Sequence, residues 1–139
     1  MDTLSRAERS AIMSRVRAKD TRPELAVRRL VYGMGYRYRL HRRDLPGIPD
    51  LVLVAYRKVI FVHGCFWHRH PGCANNRTPK SRVNFWIRKL DGNRRRDLAT
   101  LRRLKTLGWS ALVVWECQLR DMKKLERRIR MFLRGGRDV

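Results

Sequence analysis

Residues 50–64, DLVLVAYRKVIFVHG, hold two short, largely apolar runs, DLVLVAY and KVIFVHG, joined around Arg57. Each run is rich in β-branched residues and too short for a helix, so both read as strands, and the brief connection joins them as a hairpin. Neither alternates apolar with polar, which is the pattern of strands covered on both faces. The pair is expected at the centre of a sheet, and the rest of the chain has to supply its edges and the helices that cover it.

Working upstream, YRYRLHRRDLPGIPD (36–50) alternates aromatic with basic residues before a Pro-Gly turn, which suits an exposed edge strand. Before it, Thr21-Arg22-Pro23-Glu24 has the signature of a helix start, with Thr at the N-cap, Pro in the first turn and Glu at N3. Leu25, Val27, Leu30, Val31 and Met34 then follow at roughly helical spacing, so a helix is expected over 22–34, ended by Gly35. The first twenty residues, with Ser5-Arg6-Ala7-Glu8 as a capping box, read as a basic helix or arm.

Downstream, residues 78–108 carry Val83, Ile87 and Leu90, then Leu98, Leu101, Leu104 and Leu107, a spacing that predicts one or two helices. WSALVVWEC (109–117) is a further buried strand, and residues 119–134 form an amphipathic closing helix ended by Gly135-Gly136. The order of helix, three strands, helix, strand and helix is an α/β domain over 21–139, behind an arm over 1–20.

The 139 residues are 43% hydrophobic, enough for one core, and carry 34 Lys and Arg against 12 acidic residues, a net charge of +22. The excess is spread along the chain rather than gathered in a tail, and such a chain calls for a polyanion, with nucleic acid the leading partner. An anionic membrane surface is a poorer match, because no helix sets a broad apolar face beside a basic one. Neither a secretory signal nor a run of roughly 18 apolar residues is present, so a cytoplasmic protein is expected. Three cysteines, an odd number in a reducing compartment, argue for metal or free thiols rather than a disulfide framework.

The densest chemistry lies in HGCFWHRHPGC (63–73). Cys65, His70 and Cys73 are close enough for one loop to place three ligands on an ion. Cys117, at the end of WSALVVWEC, completes a Cys3His set if that strand lies beside KVIFVHG. His68 could take the place of His70, and spacing does not separate them. Asp50 stands at the opening of a buried strand, where an acid needs a cation or a donor. It fits a metal-binding carboxylate and, equally, the cap of a turn. His63 and His68 are candidates for proton transfer, with Asp97 to orient one of them, although Asp97 among Arg94, Arg95 and Arg96 also fits a solvated helix charge. Glu24 has a sufficient explanation in its capping box.

GIPDLVLVAYRKVIFVHGCFWHRHPGC, Phe85-Trp86, RRRD at 94–97 and LGWSALVVWEC together resemble the very-short-patch-repair DNA mismatch endonucleases, over nearly the whole chain. The resemblance implies a restriction-endonuclease-like fold, a mixed sheet flanked by helices, with structural Zn2+ on Cys65, His70, Cys73 and Cys117. It also implies catalytic Mg2+ on Asp50, His68 as general base supported by Asp97, and Glu24 and His63 in the same site. The acid and lysine that restriction enzymes carry on the strand after the aspartate are missing from VIFVHG. The resemblance supplies instead a backbone carbonyl, here that of Val62, as a Mg2+ ligand. Phe66, Trp67 and Trp86 match residues that intercalate in DNA, and Met13 a minor-groove wedge. From the residues alone, Trp86 also fits core packing with Val83, Ile87 and Leu90, and Phe66 and Trp67 fit a cover for the Cys/His loop.

The expected activity is a Mg2+-dependent nick 5′ of the thymine in a T:G mismatch, by a monomer whose partners include mismatch-repair proteins and a repair polymerase. A nuclease for other lesions or matched sites, and a zinc-stabilised nucleic-acid-binding protein without catalysis, are the alternatives.

Overall fold

The computed structural model describes residues 21–135. The expected arm over 1–20, with Met13, lies outside the described residues. Four strands form one sheet in the order β1-β2-β3-β4: β1 (Arg39–Leu40), β2 (Leu51–Leu53), β3 (Lys58–His63) and β4 (Ser110–Trp115). β1 and β2 are antiparallel, as are β2 and β3, whereas β3 and β4 run parallel, with Val59 opposite Ala111 and His63 opposite Trp115. The hairpin is therefore central, as its composition requires, but β2 is shorter than the apolar run. Val54–Tyr56 coil into a single 3-10 turn, and Arg57 takes a left-handed conformation, φ +52°, to reverse the chain.

Alternate residues of the hairpin enter two different cores. Leu51, Leu53 and Ile60 face one side, with Leu112 and Val114, against Val27 and Val31 of helix α1 (Arg22–Gly33) and Leu125, Ile129, Phe132 and Leu133 of helix α3 (Met122–Leu133). Val52, Val59 and Phe61 face the other, with Leu45 of the turn before β2 and Leu104 of helix α2 (Val83–Thr106). Burial on both faces explains why neither strand alternates in sequence. A fully buried aliphatic side chain contributes on the order of 2 kcal/mol.

The parallel pair β3 and β4 needs a long crossover, and α2 provides it as one helix of 24 residues. Its buried residues are Trp86, Leu90 and Leu104, while Val83, Ile87, Leu98 and Leu107 are exposed, so the apolar spacing around Val83 misjudged which side of the helix faces the protein. β1 is an exposed two-residue edge strand. The turn leading from it to β2 is held by Gly47, φ +76°, where a Cβ would lie 2.4 Å from the Thr100 methyl of α2. Only glycine fits so close an approach, and it fixes the path by which the chain enters Asp50.

This topology gathers four chain segments at one end of the sheet. The ends of β1, β3 and β4 and the start of antiparallel β2 all lie there, bringing together His41, His63, Glu116 and Asp50 from distant parts of the sequence. The carboxyl ends of parallel strands are where sheets of this class hold their ligands.

Candidate active site and Cys/His cluster

The first group is Glu24, His41 and Asp50, whose side-chain donor atoms lie within 4.8 Å of one another. Thr21 caps α1 by accepting the Glu24 N–H at 3.3 Å, but the Glu24 side chain is fully occupied elsewhere. It meets Arg28 one turn along the helix, and both its carboxylate oxygens lie 3.2 Å from Nε2 of His41. Glu24 is 2% exposed. A capping box explains its place in the sequence, not the direction of its carboxylate.

Asp50 accepts the Val62 N–H at 2.6 Å. The N–H and C=O of one strand residue point to the same side, so the Val62 carbonyl also faces the Asp50 side, just before the start of β2. Burial, with the neighbouring Glu24 carboxylate, pushes the Asp50 carboxyl up to about 8, against the pull of the Val62 N–H and Arg28. Two buried carboxylates in contact disfavour a second negative charge unless a cation joins them. The donors present, two carboxylates and a carbonyl oxygen, are those a hard divalent ion takes.

The second group is His63, His68 and Asp97. The two imidazoles stack with centroids 3.9 Å apart and planes 6° from parallel, and Asp97 lies 2.6 Å from Nδ1 of His68. A carboxylate only accepts, so Nδ1 of His68 carries a proton and Nε2 is the ring nitrogen left for other partners. Burial, and then the like charge that His68 can carry, lower the His63 pKa to about 4, which keeps that ring neutral near pH 7.

The third group is Cys65, His70, Cys73 and Cys117, all within 4.8 Å, with Nδ1 of His70 3.4 Å from Sγ of Cys117. His70, not His68, joins the thiols. Its ring stacks on Trp115 at 4.2 Å, and burial lowers its pKa, leaving it neutral for ligation. Burial pushes the Cys65 thiol up to about 12, whereas the Asn75 backbone N–H lowers that of Cys73. Three thiols and an imidazole converging in this way have the chemistry of a closed tetrahedral metal site. Glu116, which the sequence does not single out, accepts the Cys65 N–H at 3.2 Å and ties the loop to the end of β4.

The loop between the second and third groups is clamped onto α2. Asn93 donates to the Trp67 carbonyl at 3.0 Å, and Arg94 to that of Arg69 at 3.1 Å, while Arg69 itself reaches Asp91 at 3.1 Å and Thr78 at 3.0 Å. Arg69 has φ +55°, and this left-handed residue separates His68, turned to Asp97, from His70, turned to the thiols. Phe66, Trp67 and Trp86 meet in one aromatic group, with centroids 5.0 to 6.0 Å apart. Phe66 and Trp67 are half-buried, but Trp86 is 7% exposed and Phe85 beside it is largely open. Among the sequence-predicted residues, the structure thus joins Glu24 to Asp50, His63 to His68 and Asp97, and the Cys3His set. His41 and Glu116 are the residues that sequence reasoning missed. His41 stands as one histidine in a basic segment, and nothing local marks it.

A solved structure bears on the backbone: the catalytic domain of homing endonuclease I-Bth0305I matches with a TM-score of 0.56 at 21% identity, over 81% of this chain and 94% of that one. The fold is a mixed α/β sheet flanked by helices, of the restriction-endonuclease-like class. A family model described as DNA mismatch endonuclease Vsr matches residues 1–75. The type II nicking enzyme V.XorIIP of Xanthomonas oryzae pv. oryzae is 51% identical over 132 residues, covering 95% of this chain and 96% of the relative. The DNA mismatch endonuclease Vsr of Escherichia coli is 43% identical, covering 89% of this chain and 79% of the relative. The chain belongs to the Vsr family of DNA mismatch endonucleases. Among the described residues, no helix is long and apolar enough to cross a membrane.

Proposed function

We propose that this endonuclease nicks the thymine strand of duplex DNA 5′ of a T:G mismatch, such as deamination of 5-methylcytosine leaves, in a Mg2+-dependent hydrolysis. The observation that carries the reading is the convergence, at one sheet end, of a buried acid pair, Glu24 and Asp50, and a histidine oriented by a carboxylate. Asp50 and the Val62 carbonyl hold Mg2+, with Glu24 beside them. The bound ion supplies Lewis-acid polarisation of the scissile phosphate and a water of lowered pKa. Nε2 of His68 takes the proton of the attacking water, Asp97 stabilises the imidazolium that forms, and neutral His63 holds the ring in place by stacking.

Zn2+ on Cys65, His70, Cys73 and Cys117 is structural, anchoring the loop that carries both His68 and the aromatic group. Phe66 and Trp67 enter the base stack, where a mismatch costs least to open, and Trp86 joins them from beneath; Met13 on the arm wedges the minor groove. The basic surface neutralises phosphates. The protein works as a monomer in the cytoplasm, at the nucleoid, and the nick is passed to mismatch-repair proteins and a repair polymerase.

Incubation of the enzyme and Mg2+ with otherwise identical T:G and C:G duplexes tests the reading. A nick only in the thymine strand of the T:G duplex is expected. Equal cleavage of both duplexes selects a nuclease of broader substrate range, and Mg2+-independent binding without any break selects a non-catalytic protein.

A further inference from the structure

We infer that His41 is a positioning residue of the catalytic centre, which donates its Nε2–H to Glu24 and so holds the Glu24 and Asp50 carboxylates in place for the divalent ion. The inference rests on the metal role of Asp50 proposed above. Nε2 of His41 is equidistant, at 3.2 Å, from the two Glu24 oxygens and 4.0 Å from Oδ1 of Asp50. A bifurcated approach of this kind needs a donor at Nε2, because a carboxylate offers only acceptors. Arg28 holds Glu24 from within α1, whereas His41 reaches it from the end of β1, so the carboxylate is fixed by two separate elements.

The backbone points the same way. His41 has φ +49°, a left-handed conformation that a residue with a side chain adopts at a cost, and it directly follows Leu40, the last residue of β1. Such a cost is kept where the surrounding structure needs the side chain aimed. Here the chain leaves the exposed edge strand and turns, and the imidazole ends up only 20% exposed, against a carboxylate that is 2% exposed. Glu24 lies against Asp50, the proposed ligand, so His41 belongs to the outer partners of the ion, and losing such a partner changes metal affinity by about tenfold or more.

Two substitutions separate aim from bulk. Asn accepts φ > 0 more readily than almost any other side chain, but its amide is too short to reach Glu24; Gln has the reach. Titration of Mn2+, an oxygen-seeking substitute for Mg2+, into DNA-free protein, followed by electron paramagnetic resonance, reads the site without turnover. His41→Asn is expected to weaken Mn2+ binding about tenfold, with zinc content and melting temperature kept, and His41→Gln to restore most of it. A folded, zinc-replete His41→Asn protein that binds Mn2+ as the wild type does, or a Gln variant no better than Asn, overturns the inference.

A second measurement needs no variant. Long-range 15N–1H correlation of the wild type should show Nε2 of His41 protonated, and a tautomer with the proton on Nδ1 alone overturns the inference. Asp50→Asn serves as the control for the underlying reading. If wild-type Mn2+ binding does not depend on Asp50, the proposed metal site and the role of His41 fall together, whereas failure of His41 alone leaves that site standing.

Discussion

The two ends of β3 carry equally buried polar side chains, and they are satisfied in different ways. Lys58 begins the strand and His63 ends it, each 7% exposed. The Lys58 ammonium donates to the carbonyls of Phe132 at 2.6 Å and Leu133 at 3.3 Å, the last residues of α3, and burial pulls its pKa down. The carbonyls at a helix C-terminus lack partners within the helix and carry partial negative charge, so a cation completes that end from within the fold. At the other end the ionisable groups are one another's partners. Asp50 is held up at about 8 beside Glu24, and His63 is held down at about 4 beside His68. One end is closed; the other keeps groups in forms that an ion and a phosphate would relieve, as expected of a site rather than of a scaffold.

The strongest way to break this contrast is Asp50→Asn. Nicking of a T:G duplex should fall about 10³-fold or more, roughly 4 kcal/mol, while the melting temperature stays level or rises, since one buried acid is gone. A retained activity, measured as initial rate, removes the catalytic end from the comparison. Next in size is Cys117→Ser, which should release zinc and lower the unfolding free energy by several times the effect of an ordinary core substitution, because a closed metal site contributes directly to folding. Elemental analysis alongside denaturant titration checks it; a folded, zinc-replete variant sinks the assignment.

At the scaffold end, Lys58→Met should cost about 1–2 kcal/mol of stability and leave the nicking rate per folded molecule unchanged. A loss of rate at full folding would show that the two ends are coupled. A last test of the catalytic end is read from pH dependence rather than from a rate. In Mg2+-free protein the folded state keeps on Asp50 a proton that the unfolded chain releases near the ordinary aspartate value of 3.8, so stability should fall as pH rises from about 4 to about 8. Asp50→Asn should flatten that slope, and thermal unfolding across the range would show whether it does.

Much of the fold could be read locally. Two apolar runs without alternation predicted a hairpin covered on both faces, and Val52 and Leu53, pointing into different cores, show why the alternation was absent. The extent of β2 was less legible: Val54 to Tyr56 are as apolar as the strand before them, yet they lie past the cover of the helices and coil. Along α2, Val83 and Ile87 have a helical spacing that suggests a core face, but the protein meets the helix through Trp86 and Leu90 instead. Periodicity gives the shape of an element and leaves open which side finds a partner.

For the site, residue types within one loop were enough to nominate Cys65, His68, His70, Cys73 and, with the next strand, Cys117. That His70 rather than His68 joins the thiols was decided by the left-handed turn at Arg69 and its hold on α2, which no spacing rule contains. Glu24 had a complete local explanation as a helix-start residue, and His41 had no signal. Both acquire meaning only because the antiparallel pairing of β1 and β2 brings the end of one to the start of the other, with the start of α1 alongside. The sequence by itself determined strands, helices, the basic surface and the loop chemistry, because these depend on neighbours a few residues away. Which acids, imidazoles and carbonyls face one another was decided by tertiary structure alone, since proximity at the end of a sheet depends on strand order and direction rather than on distance along the chain.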